Sequence, residues 1–227
     1  MQHELVTLPD AAALASRAAD IVAGLAHSSV ADHGRFRFAV SGGHTPWAMF
    51  AELTEMDVPW SSTEIFQVDE RVAPDGDAVR NLTHLHESLD RVPAQVVPMP
   101  VTDADLEAAA GAYAARLPDA FDVVHLGLGP DGHTASLVPG DPVLDVADRL
   151  VAVTDPYQGH RRMTLTYPIL NRSRCVLFVV TGAEKVSALT ALRTGDRAIP
   201  AGRISGERAL VIADAAAAGD SSPKRLQ

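Results

Sequence analysis

The sequence predicts a single α/β domain over residues 1–218: a mostly parallel, twisted sheet with helices on both faces. Three observations lead there. Strand-like runs alternate with amphipathic, often alanine-rich helical stretches along the chain, which is the pattern of βα units. Several runs, such as Cys175 to Val180, are apolar throughout rather than alternating, as strands buried on both faces are. Finally, 227 residues with 47% hydrophobic and 21% charged side chains can bury a substantial core without disulfides or metal.

The elements follow in order. Glu4 to Leu8 reads as a short strand, and Asp10 as the N-cap of a helix running to about Ala26. Residues 27–34 read as a polar connection. Arg35 to Val40 is a strand that ends in Ser41-Gly42-Gly43-His44-Thr45-Pro46, with Pro46 suited to the first turn of a helix continuing to Leu53. Glu64 to Val68 is a strand followed directly by Asp69-Glu70-Arg71. Asn81 to Leu89 is a helix with Leu82, Leu85 and Leu89 on one face. Val96 to Met99 is a short strand, and Asp103 to Leu117 a helix capped by Thr102 or Asp103. Phe121 to Leu126 is a strand leading into Gly127-Leu128-Gly129-Pro130-Asp131-Gly132-His133, after which a helix is expected to start. Leu150 to Val153, Met163 to Thr166, Cys175 to Val180 and Leu210 to Ala213 are further strands. Val186 to Arg193 is a helix, and 219–227 reads as a disordered tail.

A formal charge of −10 disfavours nonspecific binding to nucleic acid or anionic membrane. An anionic ligand then requires a local cluster of cations and backbone N–H groups. The N-terminal Met-Gln-His-Glu lacks the basic flank and apolar core of a signal peptide. No apolar run approaches the roughly 20 residues that span a bilayer. The single cysteine, Cys175, lies in an apolar strand and reads as a core residue. A cytoplasmic protein is expected.

In parallel sheets, ligands bind beyond the carboxyl ends of the strands. Ser41-Gly42-Gly43, Asp69-Glu70-Arg71, Gly129 to His133 and Lys185 each follow a predicted strand, so all four face one edge. The Ser41-Gly42-Gly43 turn opens a helix, where free N–H groups and the helix dipole favour phosphate, and Ser41 and Thr45 add hydroxyls. Equally, it reads as a tight turn with Thr45 as a simple cap. It matches neither the P-loop nor the dinucleotide glycine pattern. Asp69-Glu70-Arg71 is either a surface ion pair or a set in which Arg71 takes an oxyanion. Lys185 and the Arg161-Arg162 pair are likewise either solvated or anion-clamping. Of nine histidines, His133 stands out because it follows Gly-Pro-Asp-Gly at a strand end. A neutral imidazole there can take a proton from water, with Asp131 fixing its tautomer. No set of ligands has zinc spacing, so no metal is expected.

Taken together, Ser41-Gly42-Gly43-x-Thr45-Pro46, Asp69-Glu70-Arg71, Gly127-x-Gly129-x-Asp131-Gly132-His133-Thr134-Ala135-Ser136-Leu137-x-Pro139, Arg162-x-Thr164-Leu165-Thr166 and Thr181-Gly182-x-x-Lys185 resemble the lactonase branch of the glucosamine-6-phosphate isomerase/6-phosphogluconolactonase family. The resemblance spans about Val40 to Arg193. It implies the glucosamine-6-phosphate isomerase-like fold, hydrolysis of 6-phospho-D-glucono-1,5-lactone in the pentose phosphate pathway, and no cofactor. It also implies His133 as general base and Ser41, Gly42, Gly43, Arg71 and Lys185 as substrate or phosphate contacts; Thr45, Gly132 and Arg162 are further candidate contacts, and Asp131 or Asp69 the candidate carboxylate that orients the imidazole. The implied partner is a small phosphosugar lactone, without nucleic acid or membrane, in a monomer or small homo-oligomer. The deaminase branch reads Asp-Gly-His-Ile-Ala-Phe-Asn-Glu-Pro and Asp-Glu-Tyr. Here Val138 stands at the Glu position and cannot relay a proton, and Arg71 replaces the Tyr. The lactonase branch usually has Lys-Pro-Pro ahead of the Arg-x-Thr-Leu-Thr arginine. Here residues 155–161, Asp-Pro-Tyr-Gln-Gly-His-Arg, contain no lysine.

Overall fold

The computed structural model describes residues 4–220. Ten strands and six α-helices follow in order: β1 Glu4–Leu8, α1 Ala11–His33, β2 Phe36–Val40, α2 His44–Leu53, β3 Thr63–Gln67, β4 Asp69–Arg71, α3 Asn81–Leu89, β5 Gln95–Val97, α4 Leu106–Ala114, β6 Val123–Leu126, β7 Val151–Val153, β8 Arg162–Leu165, α5 Tyr167–Leu170, β9 Cys175–Val180, α6 Val186–Thr194 and β10 Arg208–Asp214.

Seven strands form one sheet in the order β1-β10-β9-β6-β2-β3-β5, and every pairing in it is parallel. Both faces are covered. On one side α1, α2 and α3 contribute Leu14, Val22, Met49, Phe50 and Leu85 against Phe38, Val40 and Leu177. On the other, α4, α5 and α6 contribute Ala110, Tyr113, Ile169 and Leu189 against Ala39, Val124 and Phe178. Alternate residues of each strand serve opposite faces. That is why β9, buried along its whole length, is apolar at every position.

The remaining strands build a second, antiparallel sheet, β4-β8-β7, under the same face as α4. Asp69–Arg71 is therefore a strand in its own right. It pairs Asp69 with Thr164, Glu70 with Met163 and Arg71 with Arg162.

Three local expectations are corrected. α1 continues through the supposed connection to His33, because Ala26 and Ser29 extend its buried face. It closes where Gly34, at φ 80°, donates its N–H to Val30 O. α4 starts later than expected, because Asp105 rather than Thr102 or Asp103 accepts the N–H groups of Glu107 and Ala108. No helix follows His133. Thr134 and Leu137 close a bridged turn with Ala135 at φ 52°. There the hydroxyls bond away from the segment: Thr134 Oγ1 to Gly127 O and Ser136 Oγ to Asp69 Oδ2.

Of the tail 219–227, Gly219 and Asp220 close turns onto Ala216 O and Ala215 O. Residues 221–227 lie outside the described residues. No helix among the described residues is long and apolar enough to cross a membrane.

Candidate active site

The carboxyl ends of β2, β3, β6 and β9 meet at one edge of the sheet, and a cavity of about 320 Å³ opens there. Ser41, Gly42, Gly43, Thr45, Asp69, Arg71, His133, Arg162 and Lys185 all line it. Asp131 and Gly132 sit just behind His133 in the same turn. Of the residues singled out from the sequence, Arg161 is exposed and stays outside the cavity, and Glu70 is buried behind its wall.

The His133 turn is built tightly. Gly129 N donates to His133 O at 2.8 Å and Gly132 N to Gly129 O at 3.0 Å. Within it, Asp131 Oδ1 lies 2.6 Å from His133 Nδ1 and accepts the His133 backbone N–H at 3.1 Å. Asp131 is therefore the carboxylate paired with His133 through Nδ1, and Nε2 has no hydrogen-bond partner among the described residues. Burial alone would raise the Asp131 carboxyl. The backbone N–H, charge and ring hydrogen bond of His133 outweigh that and hold it below its usual range. Asp69 has another partner, accepting the Ser136 hydroxyl at 2.6 Å, so it anchors the turn to β4 while facing the cavity.

Gly129 lies against the imidazole. A Cβ there would fall 2.1 Å from His133 Nδ1 and 2.6 Å from Asp131 Oδ1. Gly129→Ala is accordingly expected to displace the His–Asp pair and lower kcat for any reaction that uses it on the order of 100-fold. Thermal unfolding of the variant separates that displacement from general collapse.

The opposite wall is cationic. Arg71 and Arg162 stand directly across from each other in the β4–β8 ladder, an arrangement of like charges that costs stability unless something neutralises it. Arg71 Nη1 is tied to Val79 O at 2.7 Å, and Arg162 Nη2 reaches Tyr157 O and Gln158 Oε1. Burial lowers the Arg162 pKa, Asp69 opposes that, and the Arg71 charge adds to it. The Nε atoms of both arginines and Ser41 Oγ are buried without a hydrogen-bond partner among the described residues. At the third side, α2 starts at Gly43 with no side-chain cap, so its first N–H groups face the cavity end of the helix dipole. Thr45 Oγ1 meets Thr181 Oγ1 at 3.2 Å, and Lys185 Nζ stands 3.6 Å from Glu184 Oε1.

Glu70, fully buried, organises this wall. It accepts the backbone N–H groups of Arg71, Asn81 and Leu82 and the Gln67 amide at 2.7–2.8 Å, and pairs with Arg80 Nε at 3.0 Å. It thereby caps α3 and sets Asn81 at the cavity, where the Asn81 amide donates to Asp69 O and abuts Gly42. Asn81, Glu184 and His125 are cavity residues that the sequence did not single out. Asn81 had one usable signal, its place at a helix start close behind Asp-Glu-Arg.

His125 is 1% exposed, and neither ring nitrogen has a hydrogen-bond partner among the described residues. Burial lowers its pKa from 6.5 to about 4. Above pH 6.5 the ring is neutral in folded and unfolded chains and adds no pH dependence. Between 6.5 and 4 the unfolded chain takes up a proton that the folded one refuses, so stability falls by roughly 3 kcal/mol as the pH drops through that window. His125→Leu is expected to flatten this part of the profile. Urea unfolding of both proteins at pH 7 and pH 5 measures the difference.

Among the described residues no group of three or more His, Cys, Asp or Glu is placed to hold a metal ion. A His–Asp pair facing a cationic wall, at the carboxyl edge of a doubly covered parallel sheet, defines an α/β acid–base site shaped for an anionic ligand. The comparisons give the family. The model for glucosamine-6-phosphate isomerases/6-phosphogluconolactonase matches residues 9–212, and the chain belongs to that family. It is 35% identical to a 6-phosphogluconolactonase of Nostoc sp., over 98% of this chain and 100% of the relative. It is 38% identical to one from Synechocystis sp., over 71% of this chain and 72% of that protein. A solved 6-phosphogluconolactonase from Shewanella baltica superposes with a TM-score of 0.85 at 28% identity, covering 94% of this chain and 98% of the other.

Proposed function

We propose that the protein hydrolyses 6-phospho-D-glucono-1,5-lactone to 6-phospho-D-gluconate, the lactone-opening step of the pentose phosphate pathway, with His133 as general base. The observation that carries this reading is the 2.6 Å Asp131–His133 pair facing the Arg71–Arg162 wall across one cavity. The lactonase names of the relatives support the choice of substrate.

The 6-phosphate is held by the N–H groups at the start of α2, by the Ser41 hydroxyl and by Arg71 and Lys185, with Arg162 as a second cation. Anchoring the distal phosphate sets the lactone carbonyl beside His133. Nε2 removes a proton from water as the water oxygen bonds to C1, and Asp131 stabilises the imidazolium that forms. The C1–ring oxygen bond then breaks, Nε2 returns its proton to the departing ring oxygen, and the new carboxylic acid ionises in solution.

The deaminase reaction of the same family is the competing reading. It needs a proton-relaying carboxylate, whereas position 138 carries a valine that is 9% exposed. Side-by-side assays decide: lactone hydrolysis without ammonia release from glucosamine 6-phosphate supports the proposal, and the reverse outcome overturns it.

A further inference from the structure

The hairpin joining β7 to β8 carries an aromatic residue that the mechanism above does not use. Tyr157 stands behind His133 rather than on the cavity wall. The two rings meet edge to face, with centroids 5.5 Å apart and planes at 67°. On its other side the guanidinium of Arg162 lies 5.0 Å from the Tyr157 centroid. We propose that Tyr157 is a positioning residue for His133, its ring holding the imidazole so that Nε2 faces the anchored lactone. The proposal rests on the assignment of His133 as the base.

The need for such a residue follows from where His133 sits. Its Asp131 partner is only two residues away in the same exposed turn, and the two side chains are 21% and 39% exposed. A local hydrogen bond open to water fixes a tautomer better than it fixes a ring direction. Gly129 bounds the imidazole from within the same turn. Tyr157 supplies a contact from a separate element, and that element is stiff. Tyr157 N donates to His160 O at 2.9 Å and His160 N to Tyr157 O at 3.3 Å. Between them, Gln158 and Gly159 have φ of 51° and 84°, the two consecutive left-handed residues of a type I′ hairpin. Arg162, 4% exposed and rooted in β8, ties the Tyr157 carbonyl and the Gln158 amide and faces the ring as a cation. The hairpin thus transfers the rigidity of a buried strand to a histidine in a surface turn.

Because Arg162 keeps its bonds to the Tyr157 carbonyl and Gln158, losing the ring affects turnover more than anchoring. Tyr157→Leu is expected to lower kcat on the order of 10- to 100-fold with KM changed by about threefold or less. Tyr157→Phe, which retains the ring contacts, is expected to keep kcat within about threefold of wild type. Steady-state lactone hydrolysis, corrected for spontaneous opening, reads both, and thermal unfolding reports folding. If Y157L does not fold, Tyr157→Gln, polar and compatible with a hydrated hairpin, is measured in its place. A wild-type kcat in the Leu or Gln variant, or a Phe variant as impaired as either, overturns the proposal. His133→Ala run alongside separates the two assignments. An inactive H133A with a fully active Y157L removes only the role of Tyr157, while an active H133A removes the base itself.

Discussion

His133→Ala is expected to lower kcat/KM for lactone hydrolysis on the order of 10² to 10⁴-fold, the usual contribution of a positioned general base, while the protein stays folded. His133 is 21% exposed in side chain, bonds only within its own turn and is absent from both hydrophobic clusters, so its removal opens no core cavity. The loss is expected to fall on kcat, because the cations proposed to anchor the phosphate belong to the β4–β8 ladder and to Lys185 rather than to the His133 turn. The lactone also opens unaided, so rates are compared with a no-enzyme control, and circular dichroism and thermal unfolding verify the fold. An H133A variant with wild-type rates contradicts the assignment of the base.

The second large effect is structural. Glu70→Ala is expected to destabilise the protein by about 3–5 kcal/mol, the cost of leaving a buried charge without its partner. The Arg80 side chain is 2% exposed and pairs with Glu70 on one side and with the exposed Asp75 on the other. Without Glu70 the guanidinium is left facing the protein interior, and the N–H groups of Asn81 and Leu82 lose their acceptor. α3 then loosens beside Gly42 and Arg71, so KM rises as well. Urea unfolding gives the stability change, and steady-state kinetics at a temperature where the variant is folded gives KM. A Glu70→Ala protein as stable as wild type contradicts the role given to this carboxylate.

The middle member of Asp69-Glu70-Arg71 shows what could and could not be read in advance. From sequence, three consecutive charges at a strand end offered an ion pair or an anion site. The fold divides them: Arg71 faces the cavity, Asp69 holds Ser136, and Glu70 turns inward to cap a helix eleven residues away. Alternation along β4 sends neighbouring side chains to opposite faces, but which face is the cavity depends on β8, which pairs with β4 from far along the chain. The parallel sheet and its carboxyl-edge cleft were legible because period and composition are local. So were Ser41, Gly129 and His133, each marked by a glycine turn after a strand. His125 and Tyr157 were not, since each reaches its place through tertiary packing. The helix expected after His133 failed for a related reason: Thr134 and Ser136 bond to Gly127 O and Asp69, partners that exist only once β6 and β4 are assembled.

The proposed opening of a phosphorylated sugar lactone, with His133 as base and a cationic wall as anchor, is tested by the initial rate of opening of freshly prepared 6-phosphogluconolactone, read by coupling to 6-phosphogluconate oxidation against a no-enzyme control. The same measurement is made by proton release with unphosphorylated gluconolactone. Strong acceleration of the phosphorylated lactone is expected, with little or none of the unphosphorylated one. A folded protein that leaves the phosphorylated lactone opening at its spontaneous rate, or that accelerates both lactones equally, contradicts the proposal.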